Sequence, residues 1–353
     1  MTQTINVGLI GFGMSGRIFH APFISNVPGL SLKKIKANRP ESIELARQRY
    51  PDAVVVTNEQ EIFEDATIDL VVIATANPTH YSLAKAAFLA NKHVLVDKPF
   101  TITSTEADEL IELAAEKNKV LTIYQNRRWD SDFKTVKKVL DAHLLGNLVE
   151  YEAHFDRFRN AIKPDTWKEE NLPGSGILYD LGSHLIDQAL VLFGEPQEVF
   201  ADIRSQRTGS QIPDYFEVTL YYENFKAILK AGMLVRETGP HFILHGDQGS
   251  FIKYGMDVQE TALKAGSYPS ESADWGMEPE DQWGILNTEI QGMHYRGKIT
   301  SEAGDYSGLY NNVYNAILGQ EELEVKPEQA RNTIRIIELA MQSSHEKRRI
   351  KYS

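Results

Sequence analysis

The fold class the sequence predicts is an α/β N-terminal half on a doubly wound parallel sheet, then an α+β half with a large open, mostly antiparallel sheet. Three observations carry this expectation. Up to residue 124, short apolar and β-branched runs alternate with helical stretches, the pattern that lays strands parallel with helices on both faces. Beyond Gly194 the chain becomes strand-rich, with turn residues in the short gaps that antiparallel hairpins need. The length, 353 residues, is enough for two domains, expected at 1–124 and 125–353.

Residues 5–10 read as a short core strand running into Gly11-Phe12-Gly13-Met14-Ser15-Gly16, with a helix expected over 17–26. Gly11 permits the tight turn, Gly13 lets the backbone approach a pyrophosphate, and Gly16 lets the helix pack on the strand. Phosphates would then face the unpaired N–H groups of the helix N-terminus, so the loop with Phe12 and Met14 is a dinucleotide site. The second strand, over 30–37, ends at Asn38-Arg39 with no carboxylate before Glu41. A site for NAD(H) places an acidic residue there, whereas a cation suits the 2′-phosphate of NADP(H). NADP(H) is therefore the preferred cofactor, with NAD(H) the alternative.

After a short strand over 54–56, residues 69–74 form a strongly apolar strand ending in Thr75-Ala76-Asn77-Pro78-Thr79-His80, and a helix follows over 81–90. The next strand carries the chemistry. Val94-Leu95-Val96 alternates as a buried strand and stops on Asp97-Lys98-Pro99-Phe100. Ligands of open parallel sheets sit at the carboxyl ends of the strands, so Lys98 is delivered to the edge of a binding crevice, and Pro99 turns the chain out of the sheet. An X-Pro bond there can also be cis. Thr103-Ser-Thr-Glu106 has the form of a capping box for a helix to residue 118, and a strand over 120–124 closes the half.

In the second half a helix over 133–145 leads to a strand over 149–158 and a loop containing Thr166-Trp167-Lys168. The helix beginning near Gly176 places Asp180, His184 and Asp187 at i, i+4 and i+7 on one face, with Leu178, Leu181, Leu185 and Leu192 at other angles. Strands follow over 197–205, 215–222, 226–233, 241–244 and 250–254, and residues 255–308 read as excursions from the sheet. The last helix starts at Pro327 with Ile334, Ile337 and Met341 inward. The sheet face opposite the helices, assigned Phe216, Tyr222 and Ile228, is expected to form an interface between copies of the chain, a dimer or tetramer.

Composition narrows the function. The net charge of −12 comes without a basic run that could track a phosphate backbone, so nucleic acid is not an expected partner. No apolar run reaches membrane-spanning length, and the chain enters its first strand by Ile5. The absence of cysteine excludes disulfides and thiolate metal sites and fits the cytoplasm. His241 and His245 are too far apart on one strand to chelate an ion, and no metal is expected.

Together these motifs resemble the Gfo/Idh/MocA oxidoreductases, essentially from end to end. That family joins a Rossmann domain to an α/β domain with a large open sheet. Its glutamate-lysine-proline signature is similar to Asp97-Lys98-Pro99, with Asp in place of Glu, and its aspartate-then-histidine helix signature to Asp180 and His184. Gly11, Gly13 and Gly16 resemble its dinucleotide loop, and Thr75, Asn77 and His80 its alanine-threonine-x-asparagine segment. Asn126-Arg127-Arg128-Trp129 and Gly174-Ser-Gly176-Ile-Leu-Tyr-Asp180 look most like the NADP-dependent scyllo-inositol dehydrogenase branch, and Trp167 like a tryptophan that contacts the cofactor.

The resemblance implies hydride exchange between nicotinamide and a CH–OH carbon of a cyclic polyol or sugar. Lys98 would donate to the substrate oxygen, and His184, with an ordinary pKa of about 6.5, would take or return the proton. The reverse assignment of the proton acceptor, to Lys98, stays open. Asp180 would orient the imidazole or bind a neighbouring hydroxyl, with Arg127 and Asp187, and further Arg128, Tyr306 and Tyr310, on the remaining hydroxyls. Rival readings are a reductase of sugar ketones or aldehydes, a glycosidase that retains its cofactor, and a nucleotide sensor without turnover.

Overall fold

The central strand of the first unit is β1 (Ile5–Ile10), with β2 (Leu30–Lys36) and β3 (Val54–Val56) on one side and β4 (Leu70–Ile73), β5 (His93–Val96) and β6 (Leu121–Ile123) on the other. The computed structural model describes residues 3–162 and 169–352. All five pairings are parallel, in the order β3-β2-β1-β4-β5-β6, which is that of a Rossmann sheet. β4 is buried at all four positions, as a strand covered on both faces must be, and this explains its uniform Leu-Val-Val-Ile. The chain leaves β1 in opposite directions toward β2 and β4. That reversal puts the ends of β1 and β4 at the switch point where such sheets bind ligands.

The expected capping box is present. Glu106 N–H donates to Thr103 Oγ1 at 3.2 Å and Thr103 N–H to Glu106 Oε2 at 3.2 Å, starting the Ser104–Glu116 helix. This unit comprises Met1–Asn126, Glu260–Ala273 and Tyr306–Arg331.

The second unit comprises Arg127–Gln259, Asp274–Asp305 and Asn332–Ser353. Its sheet has nine strands: β7 (Leu148–His154), β8 (Glu198–Arg204), β9 (Tyr215–Tyr221), β10 (Lys226–Gly232), β11 (Phe242–Gly246), β12 (Gly249–Lys253), β13 (Gly284–Ile290), β14 (Met293–Ile299) and β15 (Ile350–Lys351). Their order is β14-β13-β12-β11-β7-β10-β9-β8-β15, antiparallel except for the β7–β10 pair. The β9–β10 and β11–β12 hairpins close where the turn residues predicted them.

Three expectations change here. Residues 255–308 are more than excursions, because β13 and β14 form a hairpin that extends the sheet. Phe216 is fully buried on the helix-covered face, beside the Cα of Gly182. Tyr222 follows the same period-two parity and packs on Phe193 and Phe225, so of the three residues assigned to the open face only Ile228, paired with Thr219, lies there. Met341 is 41% exposed, while Ile334 and Ile337 are buried as expected.

Candidate active site

The glycine loop shows why each glycine is where it is. Gly11 has φ +102°, and a Cβ there would lie 2.4 Å from Ala74 O at the end of the neighbouring β4. A Cβ on Gly16 would lie 2.0 Å from Gly11 O, so the turn closes only with hydrogen at that position. Above Gly13 nothing stands within 4 Å, which leaves the approach a pyrophosphate would need. Phe12 turns its ring inward against Tyr50, so it offers only backbone, whereas Met14 is half exposed. Gly16–His20 forms a π-helical turn that leads into the Ala21–Asn26 helix.

At the end of β2, Lys36 pairs with Glu59 at 3.4 Å. The Asn38 amide, turned to suit its neighbours, donates to Thr57 O and accepts from Lys36 Nζ. Arg39 stands exposed before the Pro40–Arg49 helix and makes no ion pair among the described residues. No acidic residue occupies positions 36–40.

Beyond β4, Thr75 and Thr79 join hydroxyls at 2.7 Å, and Asn77–Thr79 makes a short 3-10 turn. His80 is fully buried, with Nδ1 2.8 Å from Pro99 O and Nε2 3.2 Å from Thr75 O. Burial pushes its pKa down against the nearby Asp97 charge, so the ring is neutral and has a single N–H to donate to one of these two carbonyls. Lys98 is half-buried, and the Lys98–Pro99 bond is cis. Asp97 accepts the Lys98 N–H at 2.8 Å. Burial alone would raise the Asp97 pKa, but the His20 and Ser15 contacts and the Lys98 charge outweigh it and hold it at about 2.

In the second unit, Gly174 and Gly176 both have positive φ and turn the chain into a π-helical turn over Leu178–Gly182, followed by the Ser183–Phe193 helix. π turns of this kind recur at functional sites. Asp180 lies half-buried within the turn, and His184 is buried in the first turn of the helix. Phe155 packs its ring edge toward His184 at 6.3 Å and carries the Arg127 guanidinium over its face at 5.1 Å. Arg127 also donates to Asp130 at 3.1 Å. Asp187, expected to face substrate, is buried and held by Arg128 through both oxygens. Tyr306 and Tyr310 are fully buried in the first unit and cannot meet a substrate hydroxyl as placed. Trp167 and Lys168 lie outside the described residues.

Two family models cover most of the chain: "Oxidoreductase family, NAD-binding Rossmann fold" matches residues 5–125, and "Oxidoreductase family, C-terminal alpha/beta domain" matches 137–352. The chain belongs to the Gfo/Idh/MocA oxidoreductase family. Membership makes it an oxidoreductase with an NAD(P)-binding fold, a dehydrogenase acting on CH–OH groups. Among relatives in the family, scyllo-inositol 2-dehydrogenase (NADP(+)) IolW of Bacillus subtilis is 40% identical over 349 residues, 99% of this chain and 96% of that one. The uncharacterized oxidoreductase YdgJ of Escherichia coli is 42% identical over 346 residues, 98% and 97% of the two chains. The solved structure of the oxidoreductase yvaA from Bacillus subtilis superposes with a TM-score of 0.96 at 39% identity, covering 100% of this chain and 99% of that one.

Phe155, which lies against both Arg127 and His184, and Ser15 and His20 beside Asp97 were not among the expected site residues, and Tyr310, expected at a substrate hydroxyl, meets His20 instead. The only local signal for His20 is its place one turn beyond Gly16. Tyr310 has none, being 290 residues from its partner.

Proposed function

We propose that this protein is an NADP(H)-dependent dehydrogenase of a cyclic polyol or sugar, with scyllo-inositol and its ketone as the first pair to test. The observation that carries the substrate reading is the near-full-length identity to a relative named for that substrate and cofactor. The cofactor reading has its own support in Arg39, an exposed cation at the end of β2 where no carboxylate stands to bond a ribose 2′-hydroxyl.

Gly11, Gly13, Gly16, Met14 and the backbone of Phe12 would hold the dinucleotide, with Asn38 and Arg39 at the ribose and Thr75 and Asn77 toward the nicotinamide. When bound, the nicotinamide takes up or returns the hydride. Lys98 donates a hydrogen bond to the reacting oxygen and stabilises negative charge as it develops there. His184 takes the hydroxyl proton in oxidation and returns it in reduction. Asp180, one turn earlier, bonds a neighbouring hydroxyl or steadies the imidazole, and Arg127 contributes a donor.

The cysteine-free composition suits the reducing cytoplasm. The sheet face that the second unit's own helices leave open carries Phe200, Ile228, Ile243 and Ile252, and a second copy of the chain would cover it. Incubation of the enzyme with NADP⁺ and a panel of inositol isomers and aldoses tests the reading. Reduction with scyllo-inositol supports it, and turnover confined to unrelated alcohols overturns it.

A further inference from the structure

The group of side chains around Asp97 has no part in the reaction as described so far, yet it is among the most enclosed in the first unit. Ser15, between Gly13 and Gly16 of the dinucleotide loop, donates its hydroxyl to Asp97 Oδ2 at 2.5 Å. His20 is fully buried and points Nε2 at the same oxygen from 3.6 Å, beyond hydrogen-bond length. Its Nδ1 lies 2.7 Å from the hydroxyl of Tyr310, which is also fully buried. The ring of Tyr124 lies 4.3 Å from that of His20, and Phe23 stacks on Tyr310 from the far side.

Burial pushes the Tyr310 pKa well up, so the phenol keeps its proton and shares a hydrogen bond with His20 Nδ1. With Nδ1 engaged by Tyr310, the other ring nitrogen, Nε2, is the one turned to Asp97. Ser15, His20 and the following Lys98 thus meet the Asp97 carboxylate, and His80 and Tyr310 lie within reach of its charge. Three distant parts of the sequence converge on the carboxylate whose own backbone neighbour is Lys98.

We propose that Ser15, His20 and Tyr310 are positioning residues that fix the Asp97 carboxylate, and through it set the orientation and charge environment of Lys98. The proposal rests on the reading of Lys98 as the group that meets the substrate oxygen. Because Ser15 belongs to the dinucleotide loop, the set also ties the loop to the strand end that bears the lysine. Asp97 serves here with one methylene fewer than the glutamate of the family signature, and the Ser15 hydroxyl reaches it directly.

The test compares Tyr310→Phe, Ser15→Ala and Asp97→Asn with the wild-type enzyme, following kcat, KM for each substrate and the pH dependence of kcat. Tyr310→Phe removes one oxygen and should lower kcat about tenfold and displace the pH profile, with KM for the cofactor retained. Asp97→Asn should do the same to a greater degree, and Asp97→Glu should recover part of the loss. Should Asp97→Asn fail to fold, Ser15→Ala, on a half-buried loop, carries the same reading. The inference is overturned if the variants keep the wild-type kcat and pH profile, or if they lose activity only in step with lost folded protein. Lys98→Met separates the two levels. Full turnover in that variant removes the underlying reading, whereas an inactive Lys98→Met beside unaltered Tyr310→Phe and Ser15→Ala removes only the positioning set.

Discussion

Arg128 grips Asp187 with two nitrogens, Nε at 2.8 Å and Nη2 at 2.7 Å, where both side chains are at least nine-tenths buried. The fork-to-carboxylate geometry is the strong form of the ion pair. It ties the 3-10 turn Asn126–Trp129 to the helix that carries His184. Breaking it from one side leaves a charge buried without compensation. Arg128→Ala should therefore lose about 3–5 kcal/mol of unfolding free energy, read from the urea midpoint. The double change Arg128→Met with Asp187→Leu should recover most of that loss, because no lone charge remains.

Asp132 yields a prediction about pH. Its side chain is fully enclosed, and burial followed by the neighbouring Asp257 charge raises its pKa well above the carboxylate range. Asp132 Oδ2 faces His241 Nε2 at 3.5 Å, and neither atom has a hydrogen-bond partner among the described residues. Burial lowers the His241 pKa to about 3, so the imidazole is neutral and faces a carboxyl that keeps its proton. The folded state thus holds a proton that the unfolded chain releases above about pH 4. Taken alone this makes stability fall as pH rises from there through the raised pKa, while the neutral His241, which the unfolded chain protonates below about pH 6.5, acts in the opposite sense over much of the same range. In Asp132→Asn, which mimics the neutral carboxyl, the Asp132 contribution is gone, so the variant should gain stability relative to the wild type as pH rises from about 4 to about 7, as melting temperatures across a pH series would show.

The glycines of the dinucleotide loop should separate by phenotype. Gly16→Ala must displace Gly11 O, 2.0 Å from the new carbon, and should cost about 1–3 kcal/mol of stability. Gly13→Ala meets nothing in the protein and should melt like the wild type while binding the cofactor more weakly. A thermal melt and a fluorescence titration on each variant check the contrast.

The proposed preference for NADP(H) rests on Arg39. Loss of one charge-assisted contact to a 2′-phosphate is worth about 1.5–3 kcal/mol, so Arg39→Ala should weaken NADP⁺ binding roughly 10- to 100-fold and leave NAD⁺ binding nearly unchanged. An unaltered preference, or tighter binding of NADH than of NADPH by the wild type, would remove Arg39 from the argument.

What could be read from the chain alone follows from the range of each interaction. The Val94–Val96 strand stopping on Lys98, the glycine loop and the Thr103 capping box are local patterns, and all three stand in the structure. The β13–β14 hairpin was hidden because Met293–Ile299 is exposed at most positions and shows no alternation; its one local sign is Gln291-Gly292, both with positive φ. The π turn at Asp180 obeys no side-chain period that distinguishes it from an α-helix. Phe216 takes the helix-covered face because it shares the period-two parity of Val218 and Leu220, which are buried with it. Asp187 looked available until Arg128, 59 residues away in sequence, was found on it.

The most direct measurement is the rate of NADP⁺ reduction by scyllo-inositol in the wild type, Lys98→Ala and His184→Ala, with cofactor binding titrated in parallel. The account predicts turnover in the wild type and a loss of about 10²–10⁴-fold in each variant, with NADP⁺ still bound. Near-normal turnover in either variant would contradict it.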